Sequence, residues 1–88
     1  MSEEDLGQLV HLLRNHSCGE MVAALKRDGF SLSRKGHKGG HFYTHHDGRI
    51  VVIHYHRRSQ TFTRKTLRSI LEGTRWAIDD LKRLKLLG

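Results

Sequence analysis

The fold is decided by the stretch HFYTHHDGRIVVIHYH (residues 41–56), in which two strand-like segments flank a turn. The first segment, residues 41–45, alternates in the manner of a β-strand. Asp47-Gly48 is a strong signal for a tight hairpin turn. The second segment, residues 50–56, begins with four consecutive apolar residues, which predicts the most buried strand of the sheet. The stretch therefore predicts an antiparallel hairpin.

Upstream of this hairpin the sequence predicts two helices. Ser2 precedes three acidic residues, as an N-cap with an acidic first turn would, and apolar residues then recur at helical spacing. Ser17 and Glu20 have the spacing of a capping box, and Gly29 suits the position just beyond the end of the helix that they open.

A further strand and two more helices complete the pattern. Phe30 and Leu32 alternate with serines, which predicts a strand that leads into the flexible turn at 36–40. After the hairpin, Thr63 or Thr66 opens a helix that we expect Gly73 to close. A last short helix is indicated by the spacing of Leu81, Leu84 and Leu87.

This order predicts an α+β fold in which one three-stranded antiparallel sheet carries helices. We expect residues 1–88 to form a single domain, since a chain of this size buries only about 60–65% of its unfolded surface. Helices that cover one face of a small sheet leave its other face open for a ligand.

The charge of the chain is unevenly distributed. The formal net charge is +7, yet residues 1–28 carry three basic and five acidic residues. Residues 29–88 carry thirteen basic and four acidic residues. Such a basic region suits a polyanion, with RNA and DNA the leading candidates. The alternative is a solvated basic surface without a nucleic-acid partner.

The cysteine content and the hydropathy indicate where the protein acts. Cys18 is the only cysteine, which excludes an intramolecular disulfide and favours a reducing cytoplasm. No apolar run approaches the ~20 residues that a membrane helix needs. We therefore expect a cytoplasmic protein with no membrane association and no signal peptide.

The motif Lys38-Gly39-Gly40-His41 combines three chemical properties that suit a phosphate site. Glycine lets a ligand approach the backbone closely. Histidine both takes and gives a proton near neutral pH, and the surrounding cations attract an anion. By itself the motif fits equally a hairpin turn followed by a surface histidine, which is the more common arrangement.

Two pairs of histidines, His45-His46 and His54-x-His56, invite a metal interpretation. Zinc sites usually take about three or four protein ligands. The chain has one cysteine, and Asp47 is the only carboxylate near these histidines. We therefore expect no metal site and no cofactor, and we interpret the histidines as polar strand residues.

From residue 20 to its end, the chain resembles the HicA family of toxins from bacterial toxin–antitoxin systems. The residues that carry this resemblance are, in order, 25–30 (LKRDGF), 38–41 (KGGH), 47–52 (DGRIVV), His56 and 66–71 (TLRSIL). Many members have Pro-x-His after the third strand, where this chain has His54-Tyr55-His56. Residues 1–16 form an extra helix outside the family pattern.

The resemblance implies a fold like that of double-stranded-RNA-binding domains, α-β-β-β-α. It implies a metal-independent endoribonuclease that cleaves messenger RNA and is neutralised by a HicB-type antitoxin. The catalytic histidine of the family follows a Gly-Gly or Gly-Ser pair, and only His41 of this chain matches that position.

RNA cleavage needs a proton carrier and positive charge beside the phosphate. His41 is the candidate for proton transfer, and His37 is the nearest candidate in sequence for a second carrier. The cations expected to stabilise the charge are Lys35, Lys38 and Arg49. The amides of Gly39 and Gly40 are candidates for direct phosphate contacts.

Further RNA contacts are expected from a basic helix and from aromatic residues. Arg64, Lys65 and Arg68 suit phosphate contacts, but equally a solvated helix face or a docking surface for an acidic antitoxin. The aromatic residues that could stack on bases are Phe42, Tyr43, Tyr55 and Trp76, and core packing is the favoured interpretation for Trp76.

Two other functions remain open from the sequence. One is a non-catalytic RNA-binding module of the same fold, and the other is an interaction protein whose basic surface only docks an acidic partner. We expect the free chain to be a monomer, although its N-terminal helix could either pack on the domain or join two chains.

Overall fold

The computed structural model describes residues 3–36 and 38–87, and it confirms the α+β class and the predicted order of elements. The predicted cap at Ser2 and the candidate His37 lie outside the described residues. The elements are α1 (Glu3–Leu13), α2 (Cys18–Asp28), β1 (Ser31–Lys35), β2 (Gly40–Thr44), β3 (Ile50–His54), α3 (Arg64–Thr74) and α4 (Ile78–Arg83).

The three strands form one antiparallel sheet in the order β1-β2-β3, as in double-stranded-RNA-binding domains. β2 lies in the middle, where His41 is paired with Lys35 of β1 and with Ile53 of β3. The pairing of β1 with β2 shifts register between Leu32 and Arg34. Because paired residues share a face, Lys35, His41 and Ile53 lie on the same side of the sheet.

The prediction that β3 is the most buried strand is wrong. Val51 and Ile53 are buried, whereas Ile50 is 59% and Val52 37% exposed. The helices cover only one face of the sheet, so even a continuous apolar run alternates between core and solvent. The other face is open, as expected for a small α+β sheet.

Local signals place the helix ends. The capping box of α2 is confirmed, since the amide of Glu20 donates to Ser17 Oγ (3.2 Å) and the amide of Ser17 donates to Glu20 Oε1 (3.0 Å). Gly29 ends α2 in the left-handed conformation with φ 105°. Thr63 caps α3 by accepting the amide hydrogen of Thr66 (3.2 Å).

Gly73 does not end α3, contrary to the prediction from its position. The helix continues to Thr74, and Arg75 takes the left-handed conformation at φ 60°. Gly73 instead brings α3 close to β3, because a Cβ there would lie 2.9 Å from the carbonyl oxygen of Ile50 and 3.0 Å from Val51 Cγ2. This glycine serves helix–sheet packing.

The core lies between the helices and the covered face of the sheet. α1 packs against α3 and buries Leu9, Val10 and Leu13 in this core. Trp76 is fully buried, as the core interpretation predicted. None of the helices among the described residues is long and apolar enough to cross a membrane.

Asp28, the last residue of α2, contacts the hairpin turn, the segment after α3 and helix α4. Its carboxylate accepts hydrogen bonds from Trp76 Nε1 (2.9 Å) and Arg83 Nη2 (2.8 Å). Arg49 Nη1 lies 3.1 Å from the same carboxylate and also donates to the carbonyl of Thr74. Burial acts to raise the pKa of Asp28, but the hydrogen bonds from Trp76 and Arg83 and the charge of Arg49 outweigh it, so the pKa lies below its usual range.

Replacing Asp28 by Asn should destabilise the domain by about 3 kcal/mol near neutral pH, because two guanidinium groups lose their carboxylate. The pKa of Asp28 is lower in the folded than in the unfolded state, so its ionised form favours folding. The difference between wild type and Asp28→Asn is therefore complete above about pH 4, near the unfolded pKa, and shrinks as the pH falls through the folded pKa.

Urea denaturation as a function of pH measures this difference. Asp79→Asn is the control, since this exposed carboxylate on α4 should change stability by less than about 0.5 kcal/mol. A pH-independent difference for Asp28→Asn would contradict the assigned ionic role.

Candidate functional site

The turn between β1 and β2 is held by the carbonyl group of Gly39. Lys38 and Gly39 both have positive φ angles, 58° and 78°. The carbonyl oxygen of Gly39 accepts hydrogen bonds from the amide of Tyr55 (3.1 Å) and from Nδ1 of His41 (2.7 Å). The turn therefore fixes both the start of β2 and the direction of the histidine ring.

Glycine is required at position 39 for steric as well as conformational reasons. A Cβ there would lie 2.7 Å from the carbonyl oxygen of Tyr55 and 2.9 Å from Cε1 of His56. The first of these atoms belongs to the backbone and cannot rotate away. The second glycine of the motif, Gly40, is buried and pairs with His54.

The hydrogen bond to Gly39 determines the tautomer of His41. A carbonyl oxygen only accepts hydrogen bonds, so Nδ1 must carry a proton. In the neutral imidazole, Nε2 then bears the free lone pair. The residue is partly exposed, and Nε2 is the nitrogen through which His41 can take or give a proton.

Tyr55 supports the ring of His41 from one side. The two rings stack at a centroid distance of 4.0 Å and an angle of 12°. The hydroxyl oxygen of Tyr55 lies 3.3 Å from that of Tyr43, whose pKa is raised by burial and by this hydrogen bond. Sequence reasoning missed this support, because Tyr55 lies just beyond β3 and meets His41 only through the pairing of β2 with β3.

The aromatic residues considered for base stacking have different environments. Tyr43 and Trp76 are buried, which removes them from any stacking surface. The ring of Tyr55 already stacks on the ring of His41. Phe42 is partly buried and lies on the face of the sheet opposite His41, since neighbouring residues of a strand point to opposite faces.

Two predicted cations lie near His41. Lys35 is paired with His41 across β1 and β2, and Lys38 lies in the turn. Both side chains are exposed, and neither forms a salt bridge with a described residue. Their positive charge is therefore available to an anion at this end of the sheet.

The structure does not bring Arg49 to His41, contrary to the expectation from sequence. Arg49 precedes β3, whereas His41 pairs with Ile53, so the two are separated by about 13 Å of strand at ~3.3 Å per residue. Arg49 contacts the carboxylates of Asp28 (3.1 Å) and Asp47 (2.8 Å). The guanidinium group of Arg49 thus stabilises the packing of the hairpin against α2.

The basic residues of α3 lie on another surface. Arg64, Lys65 and Arg68 line a groove between α1 and α3, together with apolar residues of α1. Arg68 also lies 3.5 Å from Glu72, one turn further along the helix. The lining of this groove contains none of the residues around His41, so the two basic regions are separate features.

His56 was not selected by sequence reasoning as a proton carrier, yet it contacts the turn. Its ring lies against Gly39, on the side where a Cβ would be, and its amide donates to Gln60 Oε1 (3.2 Å). The signal that could have identified it is its place two residues beyond β3, opposite the start of β2. His41 and His56 therefore approach the same glycine.

The remaining candidate groups have structural roles. His45 donates from Nε2 to the carbonyl oxygen of Asp28 (2.7 Å). Burial raises the pKa of Cys18 to about 11, so its thiol is not a nucleophile near neutral pH. Among residues 3–36 and 38–87, no three histidine, cysteine or acidic side chains are grouped as metal ligands.

The chain matches the family model described as HicA toxin of bacterial toxin-antitoxin over residues 18–76, about two thirds of its length. The match begins with the first residue of α2 and ends at Trp76, so it includes the sheet, the 38–41 turn and α3. α1 and α4 lie outside it. None of the curated proteins matches the chain.

Gly39→Ala should destabilise the protein by about 3 kcal/mol, because the added Cβ combines backbone strain with a clash against Tyr55. Gly48→Ala is the matched control. Gly48 also has a positive φ, 99°, but a Cβ there would meet no atom within 4 Å, so only about 1 kcal/mol of strain is expected.

Urea denaturation measures both variants, and hydrogen exchange of the Tyr55 amide reports the contact itself. We expect faster exchange of this amide in Gly39→Ala only. Equal destabilisation by the two substitutions would show that the contacts of Gly39 contribute nothing beyond its φ angle.

Proposed function

Because the chain belongs to the HicA family of toxins of bacterial toxin–antitoxin systems, we propose that it is an endoribonuclease that cleaves messenger RNA through His41. The observation that carries this proposal is the hydrogen bond from His41 Nδ1 to the carbonyl of Gly39 (2.7 Å). This hydrogen bond leaves Nε2 of His41 for proton transfer. Lys35 and Lys38 lie at the same end of the sheet and have no carboxylate partner among the described residues. The family is one of toxins that have an antitoxin partner, and we propose a HicB-type antitoxin for this chain.

Because RNA supplies its own nucleophile, the protein needs to provide only proton transfer and positive charge for cleavage. Nε2 of neutral His41 removes the proton of a 2′-hydroxyl, whose oxygen then bonds to the adjacent phosphorus. The bond from phosphorus to the 5′-oxygen breaks, and that oxygen takes up a proton. Lys35 and Lys38 stabilise the negative charge of the phosphorane. No metal ion or cofactor is required by this route.

We assign the second proton transfer to His56. Its ring lies against Gly39, whose carbonyl holds His41, so the turn brings both imidazoles to one end of the sheet. A protonated imidazole can donate to the 5′-oxygen while a neutral one accepts from the 2′-hydroxyl. Support from Tyr55 keeps the ring of His41 in a fixed orientation during this exchange.

The cellular setting follows from the same reaction. We propose that the toxin acts in the cytoplasm, where messenger RNA is present and a single cysteine remains reduced. The apolar face of α1 is buried within its own domain, which supports a monomeric free toxin.

His41→Ala should reduce RNA cleavage by at least about 10²-fold, since general acid–base catalysis contributes ~10²–10⁴-fold. Cleavage of a purified RNA is measured in EDTA, together with growth arrest on expression. The thermal unfolding midpoint serves as the control for folding. Undiminished cleavage by this variant would contradict the role of His41, and RNA binding without cleavage by the wild type would favour a non-catalytic RNA-binding module.

His56→Gln should alter the pH dependence of kcat/KM. With one imidazole acting as base and the other as acid, the wild-type profile is bell-shaped. Loss of His56 should remove the limb that depends on the proton donor. His46→Gln, at an exposed histidine of the opposite hairpin end, is the control and should keep both limbs. An unchanged bell in His56→Gln would assign the second transfer elsewhere.

A further inference from the structure

A third basic region, separate from the His41 site and from the α3 groove, lies beside α2. It is a cleft of about 540 Å³ between α2, the loop after β3 and the C-terminal segment. We call it the basic cleft and define it by three cations and two hydroxyls, Arg27, Arg58, Lys85, Ser17 and Ser59. None of these residues was predicted from the sequence to bind RNA.

The walls of the basic cleft are held together by hydrogen bonds to backbone carbonyl groups. The amide of Gly19 donates to the carbonyl of Arg58 (2.9 Å), which fixes the loop to α2. Arg27 donates to the carbonyl of Leu84 (3.0 Å). His16 Nε2 lies 2.6 Å from the carbonyl oxygen of Leu86. The three segments that carry the cations therefore form a defined cleft.

The lining of the basic cleft has three cations and one carboxylate, so its charge is positive overall. Glu20 is the one carboxylate among its lining residues. Its Oε1 accepts from the amide of Ser17 (3.0 Å) and its Oε2 lies 3.0 Å from His16 Nδ1. Within the described part of the chain, Arg27, Arg58 and Lys85 form no salt bridge. An anion entering the cleft therefore meets three available cations.

A short loop connects the basic cleft with the site around His41. Tyr55 stacks on His41 and His56 lies against Gly39. Arg58 follows Tyr55 by three residues, so at most about 11 Å of extended chain separates them. An RNA strand whose phosphate is at His41 can follow this loop, and its neighbouring phosphates then reach the cleft.

We infer that the basic cleft is a second phosphate-binding subsite, which holds RNA phosphates next to the one that is cleaved. This inference rests on the proposed ribonuclease function and deepens it. Lys85 lies outside the matched residues 18–76, so the C-terminal segment adds part of the substrate site to the domain. The guanidinium groups and the ammonium group contact phosphate oxygens, and the serine hydroxyls donate to them.

The test measures RNA binding in the His41→Ala background, where no substrate is consumed. Arg58→Gln with Lys85→Gln removes two of the three cations and retains Arg27, which holds Leu84. For a fluorescent single-stranded RNA, the slope of log affinity against log salt should fall in magnitude by about 1.4, at ~0.7 per phosphate contact. Relative to affinities at 1 M salt, where the electrostatic contribution vanishes, the affinity of this double variant at 0.1 M salt should fall about 25-fold.

A charge-matched double variant provides the control. Arg75→Gln with Lys82→Gln removes two exposed cations that do not line the cleft, and it should leave the slope nearly unchanged. In otherwise wild-type protein, the cleft variant should raise KM with little change in kcat. If the double variant does not fold, Lys85→Gln alone should lower the slope by about 0.7.

The outcomes separate the two proposals. Equal slopes for the cleft variant and its control, with RNA still bound, would overturn the subsite while leaving His41 as the catalytic residue. Loss of binding to poly-glutamate but not to RNA would show a protein-docking cleft and would equally overturn it. Absence of any RNA binding by the His41→Ala protein and of cleavage by the wild type would refute the proposed function itself.

Discussion

The site depends on the two hydrogen bonds that the carbonyl group of Gly39 accepts. This carbonyl accepts the amide hydrogen of Tyr55 at the end of β3 and the Nδ1 hydrogen of His41. The same oxygen thus closes the sheet and sets the tautomer of the histidine. Strand pairing and the orientation of the His41 ring therefore depend on the same carbonyl group, and a change that moves it changes both.

The two ends of the sheet have different physical roles. At the hairpin end, Asp28 forms ion pairs with Arg49 and Arg83 and accepts a hydrogen bond from Trp76, so opposite charges are paired. At the His41 end, Lys35 and Lys38 are exposed and have no salt bridge to a described residue. Opposite charges are thus paired at the hairpin end, whereas the His41 end carries two cations that remain available to an anion.

Features that depend on neighbouring residues could be predicted from the sequence. The capping box of α2 and the strand containing His41 are encoded within a few residues, and so is the grouping of Lys38 with Gly39. Features that depend on tertiary packing could not. The apolar run of β3 does not say which face the helices cover. The ion pair between Arg49 and Asp28 and the stacking of Tyr55 on His41 both join residues that are distant in the sequence, so no local sequence pattern indicates them.

The proposed role of His41 is to activate the 2′-hydroxyl of RNA, and the chemical identity of the cleavage products distinguishes this route from attack by water. Mass spectrometry of a short RNA cleaved in EDTA should show a 2′,3′-cyclic phosphate on one fragment and a 5′-hydroxyl on the other. A matched RNA with a single 2′-deoxy nucleotide before the cleaved bond should remain intact at that bond. Cleavage of the 2′-deoxy substrate, or products with a 3′-hydroxyl and a 5′-phosphate, would contradict the account.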